Sequence, residues 1–247
     1  MAATLAALAA PAPAARLTQP AERAFDSYVA EVEARLAKDR TASVPYLVDP
    51  VNGGSWSVPG GRLHHWRAAA LVPGATTEDM LALLRDHDHH ARFYAPEVVS
   101  SGVLRNGGNS ATVAMRFQKH RIVTVVLDAE FESRSGLLEG GRRGFSFSRS
   151  THLWQVDRPG SPEERRRPEG EDDGFLWRLN SYWSFEQTAG GLRMECEAVS
   201  LTRDVPAGLG WLIIPIIRTL PRDSLQFTMA ATRNALVARR PEHDRAN

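Results

Sequence analysis

Apolar and polar residues alternate through most of the second half of the chain. Residues 175–201 read FLWRLNSYWSFEQTAGGLRMECEAVSL, two alternating stretches on either side of one Gly-Gly turn. A period of two is typical of a β-hairpin with one buried face. Turn signals delimit similar stretches elsewhere, and the whole pattern predicts seven strands, at residues 62–72, 98–104, 110–119, 122–134, 144–156, 175–186 and 192–202.

Helical spacing of apolar residues appears near both ends of the chain. It predicts an N-terminal helix at 21–38 and a long C-terminal helix at 222–240. Thr76 or Thr77 is placed to cap a shorter helix that ends at Arg85. The remaining segments are predicted as a short helical or turn segment at 86–97, a Gly- and Pro-rich loop at 48–61, and a polar, exposed and mobile loop at 157–174.

Hairpin-linked strands form an antiparallel sheet whose apolar face has to be covered. We therefore expect an α+β fold, in which a curved antiparallel sheet of about seven strands wraps on the long C-terminal helix, with an extra N-terminal helix. The sequence shows no repeat and no second core. It predicts one domain, 21–240, after a signal-like or disordered leader, 1–20, and before a disordered tail, 241–247.

Two stretches of this sequence resemble a known family. They are LLRDHDHHARFYAPEVVSSGVL and the segment from GFLWRLNSYWSFEQ to IIRTLPRDSL. Both resemble the helix-grip fold of the START-like and polyketide-cyclase-like superfamily, in a bacterial branch that is often exported, and the match covers residues 62–236. The resemblance implies a cavity between the sheet and the C-terminal helix. The superfamily includes lipid carriers, cyclases and binding proteins, so the fold does not choose among them.

Neighbouring residues of a strand point to opposite sides of the sheet. The aromatic side chains at the odd-numbered positions of 175–185 then lie on a dry face under the helix, while Arg178 and Glu195 lie on a solvated face. Space beside such a dry face is where ligands bind. The predicted ligand-binding residues are Met115, Phe117, Leu127, Phe147, Arg149, Trp177, Ser181, Trp183, Met194 and Phe227.

Arg149 stands out because the rest of its row, residues 145–153, is mostly apolar. A buried charge needs a partner, and a ligand carboxylate or phosphate bound through two hydrogen bonds would supply one. Two other interpretations stay open. A bulge would reverse the faces of the strand, or the side chain would reach out to the rim.

Motifs of catalysis are missing from the sequence. It contains no G-x-S-x-G, no phosphate-binding loop and no G-x-G-x-x-G after a strand. Cys196 lies between two glutamates, which disfavours a thiolate, so we interpret it as a packed thiol. His87 and His90 could share a helix face, but no spacing links further ligands to them, and a polar helix end explains them as well. We predict no catalytic residue, no metal and no cofactor.

Composition limits the partners. A net charge of +1 gives no general basic field, so no nucleic-acid partner is expected. The small apolar N-terminus, with APAPAA as a cleavage site, favours export over a cytoplasmic location, although it lacks a positive start. The dense apolar segment 211–217 is core, a lid, or a patch for transient contact with a membrane surface.

Three functions follow from these observations. The first is non-enzymatic binding, with or without transport, of a hydrophobic small molecule or lipid, since aromatic walls supply affinity through burial. The second is a cyclase- or hydratase-like enzyme that acts on a hydrophobic carbonyl substrate. The third is a non-catalytic interaction domain whose core is filled by its own side chains.

Overall fold

The computed structural model describes residues 15–38, 47–120, 124–204 and 210–239, and for 210–219 it describes the backbone alone. Most of the predicted leader, the predicted tail 241–247 and the side chains of the apolar segment 211–217 lie outside the described residues.

Within this part of the chain the helices are α1 (Gln19–Lys38), α2 (Thr77–Arg85), α3 (His90–Phe93) and α4 (Gly210–Ala238). Single 3₁₀ turns occupy His87–His89 and Glu139–Gly141. None of the described helices is both long and apolar enough to cross a membrane. The strands are β1 (Ala15–Arg16), β2 (Leu47–Val58), β3 (Gly61–Val72), β4 (Val98–Asn106), β5 (Ser110–His120), β6 (Thr124–Leu138), β7 (Arg143–Asp157), β8 (Arg165–Arg166), β9 (Glu171–Asp172), β10 (Arg178–Thr188) and β11 (Gly191–Thr202).

The main sheet is antiparallel, in the order β2-β3-β11-β10-β7-β6-β5-β4, with β8 paired to the end of β7. The short strands β1 and β9 pair separately. The seven predicted strands are β3 to β7, β10 and β11, and the predicted α+β helix-grip fold, with helices at both ends of the chain, is confirmed.

The prediction of a loop at 48–61 is wrong, because most of this segment is the edge strand β2. Its pairing with β3 is irregular between Pro50 and Ser55. Asn52, Gly53 and Gly54 between them have φ values of 49°, 78° and 79°, in the left-handed region that favours glycine. The Gly and Pro signals therefore mark a bulge inside an edge strand, where both residue types are tolerated.

Helix α4 is longer than predicted. It begins at Gly210 rather than at residue 222, and it contains Pro215 and Pro221. Proline removes one helical hydrogen bond, yet the helix continues on both sides of each proline. Helix α1 begins at Gln19, two residues before its predicted start.

Helices α4 and α2 cover one side of the sheet, which we call the α4 face. The packing there joins the sheet to both helices, since Trp183 and Met194 of the sheet share one cluster with Met80 and Leu83 of α2 and Met229 of α4. Cys196 belongs to this cluster and is buried, and burial raises the pKa of its thiol. This arrangement confirms the interpretation of Cys196 as a packed thiol.

Helix α1 covers part of the opposite side, which we call the α1 face. Phe25 and Val32 of α1 pack against Leu63, Tyr182 and Val199 of the sheet. The two clusters alternate along the strands, so each strand buries both of its faces in this region. The α1 face was expected to be solvated, and that expectation is wrong where α1 lies on it.

Many of the residues in 157–174 are exposed, as predicted, but the segment is not a free loop, because it contains the short strands β8 and β9. The segment folds onto the α1 face of β5 and β6 through ion pairs. Arg166 donates to Asp128 at 2.7 Å, and Glu164 accepts from Arg116 at 2.8 Å. Asp128 is buried, and although burial raises its pKa, hydrogen bonds from Arg116 and Arg166 hold that pKa below its usual range. The sequence lacks apolar residues here because charged pairs hold the segment in place.

Candidate ligand-binding site

A row of mostly small side chains crosses the middle of the α4 face. The register of β6, β7, β10, β11 and β3 places in one line, in this order, Ser133, Ser148, Ser181, Ala198 and Trp66. We call this line the small-residue row. Ser148, Ser181 and Ala198 stand on interior strands of the sheet, yet each is only half-buried. The space above them, which we call the central trough, is therefore reachable from solvent.

The row on the α2 side of the trough is more tightly filled than the trough floor, and an apolar cluster lies on the other side. On the α2 side, Trp183 of β10 stands opposite Cys196 of β11 in the register, and both side chains are buried. Towards the other end of the strands, Phe131 and Leu153 form a second apolar cluster with partly buried neighbours that include Leu179. The trough thus has a floor of hydroxyl and methyl groups, with a buried row on the α2 side and an apolar cluster at the β6–β7 end of the other side. Such a site suits a largely apolar molecule with few polar groups.

Six of the ten predicted ligand-binding residues lie on the α4 face. Ser181 is in the centre of the trough floor. Trp183 and Met194, 7 % and 0 % exposed, are packed in the core with α2 and α4 and offer little surface to a ligand. The remaining three stand on β5 and β6 beside the second apolar cluster, and they are Met115, Phe117 and Leu127.

Phe147 and Arg149 lie on the α1 face, so their placement under α4 was wrong. Phe147 stands opposite Tyr182 in the strand register and packs in the α1 cluster. Arg149 forms an ion pair with Glu33 of α1. The reason is a bulge at Thr151, where the pairing of β7 with β6 shifts register, and the bulge interpretation that was left open for Arg149 is confirmed. Before the bulge the even residues of β7 face α4, and after it the odd residues do.

Trp177 and Phe227 are also displaced from their predicted positions. Trp177 precedes β10, packs in the α1 cluster and donates its Nε1–H to Asp172 at 3.1 Å. Phe227 of α4 lines a surface groove of 780 Å³ together with Phe93 of α3. The two aromatic side chains therefore belong to surfaces other than the trough.

The sequence interpretation did not single out the polar residues at the β2–β3 end of the α4 face. His64 is fully buried between Ser55 of β2 and Ser200 of β11, its neighbours in the register. Its Nε2 lies 3.0 Å from Oγ1 of Thr202. Burial, with a smaller contribution from the charge of Arg62, lowers the pKa of His64 to about 4, so the ring is neutral at physiological pH. The only available signal was the even spacing of His64 and Trp66 in a strand.

The α1 face holds a buried charged network. Glu197, 2 % exposed, accepts from Arg35 at 2.5 Å and from His65 at 2.8 Å. Burial alone would raise the pKa of Glu197, but these hydrogen bonds hold it below its usual value. The hydroxyl of Tyr28 lies 2.9 Å from Nδ1 of His65. Because one helix and two strands supply these groups, the network fastens α1 to the sheet.

His87 and His90 contact each other edge to face, with ring centroids 5.1 Å apart. Nε2 of His90 donates to the carbonyl oxygen of Leu83 at 3.3 Å. Burial lowers the pKa of both rings, that of His90 to about 4. Among the described residues, no three His, Cys, Asp or Glu side chains are grouped to hold a metal ion.

No protein-family model and no curated protein matches the chain. Solved structures of similar outline exist. The STAR-related lipid transfer protein of Xanthomonas axonopodis is 14% identical with a TM-score of 0.48, over 78% of this chain and 99% of that one. The Zhui aromatase/cyclase of a Streptomyces species is 11% identical with a TM-score of 0.45, over 71% and 92%. Human STARD10 is 12% identical with a TM-score of 0.46, over 91% and 82%. Likenesses at this level say nothing about a ligand or an activity.

Proposed function

We propose that the central trough binds a hydrophobic small molecule or lipid. The observation that carries the proposal is the half-buried state of Ser148, Ser181 and Ala198 in the middle of the sheet, directly beside a row on the α2 side that is packed. A filled core would bury these positions like the adjacent Trp183 and Cys196. Apolar side chains beside the floor supply affinity at about 25 cal/mol per Å² of apolar surface buried.

Binding is favoured over catalysis by the ionisable groups around the trough. The carboxylates of Glu195, Glu197 and Asp128 belong to the α1 face. Among the described side chains in the trough floor and the rows beside it, the ionisable groups are the thiol of Cys196, whose pKa burial raises, and the neutral imidazole of His64. Acid–base chemistry on a carbonyl substrate needs a group whose pKa lies near the working pH.

The proposal extends to transport by an exported protein that touches membranes transiently. The support is in the sequence, namely the cleavable-looking N-terminus and the apolar segment 211–217. N-terminal sequencing of the protein from its own cells tests export, with cleavage expected near Ala15. Co-sedimentation with phosphatidylcholine vesicles, in the presence and absence of a lipid cargo, tests the membrane contact. An intact Met1 in the cytosolic fraction would contradict export.

The binding proposal is tested by filling the trough. Ser181→Phe places a ring on its floor, and Ser184→Phe, three residues along the same strand, places the same ring on the α1 face. Nile red, a neutral apolar dye, reports on binding by its fluorescence. We expect Ser181→Phe to weaken Nile red binding at least tenfold, and Ser184→Phe to leave it unchanged. Equal affinities of both variants and the wild type would contradict the proposal. Native mass spectrometry of the protein isolated under mild conditions should show an apolar molecule bound.

A further inference from the structure

Three buried polar atoms at the β2–β3 end of the α4 face have no hydrogen-bond partner among the described residues. They are Oγ of Ser55, Nδ1 of His64 and Nε1 of Trp66. Ser55 stands opposite His64 in the register, and Trp66 follows His64 by two residues, so all three side chains share the α4 face. Buried polar groups in proteins are nearly always paired, which makes three neighbouring exceptions informative.

The hydrogen-bonding role of each atom is determined by its surroundings. The hydroxyl of Thr202 donates to the carbonyl of Arg203 at 3.1 Å, so its oxygen accepts from Nε2–H of His64. Because the pKa of His64 is about 4, the ring is neutral and carries its one proton on Nε2. Nδ1 of His64 is then a bare acceptor. Nε1–H of Trp66 is a donor, and the hydroxyl of Ser55 is both.

These atoms adjoin the trough. Trp66 is the last member of the small-residue row and is half-buried, while its Nε1 is buried. Gly54 of β2 faces the Trp66 ring, and a Cβ built there would come within 2.6 Å of it. The glycine thus lets the indole lie against β2. The floor of the trough leads along the row to Trp66 and then to the acceptor of His64.

We propose that Ser55, His64 and Trp66 form the polar end of the ligand site and bind the hydroxyl group of a neutral, otherwise apolar alcohol. The ligand hydroxyl donates to Nδ1 of His64 and accepts from Trp66 or Ser55. A carboxylate fits poorly, because it would bring its charge against the lone pair of Nδ1. Arg62, the nearby cation, already donates to Asp204 at 3.0 Å and to Ser57 at 2.8 Å. This inference rests on the proposed function and names its ligand class.

The experiment compares dodecanol with dodecyl methyl ether as competitors of Nile red. The ether has the same oxygen and a longer chain but no hydroxyl proton. The wild type should bind the alcohol about tenfold more tightly than the ether, the effect of one hydrogen bond to a buried group. Trp66→Phe keeps a ring and removes the donor, so it should weaken alcohol binding severalfold. Trp56→Phe is the matched control, since Trp56 packs on the α1 face, and it should change neither competitor.

A second measurement uses the unmodified protein. With ¹⁵N-labelled histidine, the resonance of the unprotonated Nδ1 of His64 should move when dodecanol is added and stay when the ether is added. If Nile red binds and both competitors displace it equally, with the His64 resonance unchanged, the alcohol inference is overturned while the binding proposal stands. Water alone then solvates the three atoms. If Nile red does not bind the wild type, the proposed function and this inference both fail.

Discussion

Arg149 of β7 and Glu33 of α1 form a two-point ion pair, with Nε–Oε1 and Nη2–Oε2 distances of 2.7 and 2.5 Å. Tyr182 donates its hydroxyl to the same carboxylate at 2.9 Å. The side chains of Arg149 and Glu33 remain 44 % and 28 % exposed. The pair therefore joins the N-terminal helix to the outer side of the sheet, away from the trough.

Arg149→Leu should leave Nile red binding unchanged and lower the free energy of unfolding by only about 0.5–1 kcal/mol, because partly exposed ion pairs contribute little. Urea denaturation and dye titration of the same preparation measure both quantities. Ser181→Phe is the comparison variant, and it should weaken Nile red binding. If Arg149→Leu lost binding of an anionic ligand, this prediction would be contradicted and Arg149 would be assigned to the ligand site.

The placement of Arg149 shows where the sequence pattern ceased to be informative. Residues 145–150 read FSFSRS, and a rule that puts aromatic residues in the core turns Phe145 and Phe147 towards α4. The structure turns the serines there instead, because α1 provides a second apolar cluster on the other face. The charged Arg149 in an apolar row was a local sign of the bulge at Thr151, whereas the docking of α1 leaves no local signal in the sequence.

Prediction was reliable where hydrophobic period and turn chemistry agreed. The β10–β11 hairpin and the helix capped by Thr76 were predicted from such signals, and Thr76 and Asp79 form the reciprocal capping box. The prediction was wrong for β2, because its glycines form a bulge inside the strand and were interpreted as loop residues. The polar end of the site was missed because burial and pairing of His64 depend on strands far apart in sequence.

Glu197→Gln should lower the free energy of unfolding by about 3 kcal/mol, since it removes the charge that Arg35 and His65 share in a buried position. The folded-state pKa of Glu197 is below the unfolded value, so its contribution is present at neutral pH and is lost as pH falls below about 4.5.

The neighbour Glu195 is the matched control for that variant. Burial, and then the charge of Glu197, raise the pKa of Glu195, so its negative charge is unfavourable in the folded state. Glu195→Gln should keep or raise the stability that Glu197→Gln lowers. Urea denaturation at pH 7 distinguishes the two, and equal losses would show that the network does not depend on the Glu197 charge.

The buried histidines predict a second pH dependence. Burial lowers the pKa of His64 and His90 to about 4, below the unfolded value near 6.5. The unfolded chain binds the extra protons between these pH values, so stability is full above about pH 6.5 and falls as pH decreases towards 4. At about 1.4 kcal/mol per pKa unit, each histidine accounts for about 3 kcal/mol at pH 4.

Urea denaturation at intervals from pH 7 to pH 4 measures this slope in the wild type and in His90→Gln. The variant should be less stable at pH 7 and should show a shallower decline in acid. His120→Gln, at an exposed position, is the control and should reproduce the wild-type slope. Parallel curves for His90→Gln and the wild type would contradict the assignment of the proton uptake to His90.

The segment 157–174 should become susceptible to proteolysis when its main attachment is removed. Asp128 accepts from Arg166 of this segment, and the Arg166 guanidinium also lies over the Trp154 ring, 4.5 Å from its centroid. Asp128→Ala should speed trypsin cleavage after Arg165 and Arg166 about tenfold, because local opening requires less free energy. Glu132→Ala, on the same face of β6 but exposed, should not. Unchanged cleavage in Asp128→Ala, with urea stability measured in parallel, would show that other contacts hold the segment against the sheet.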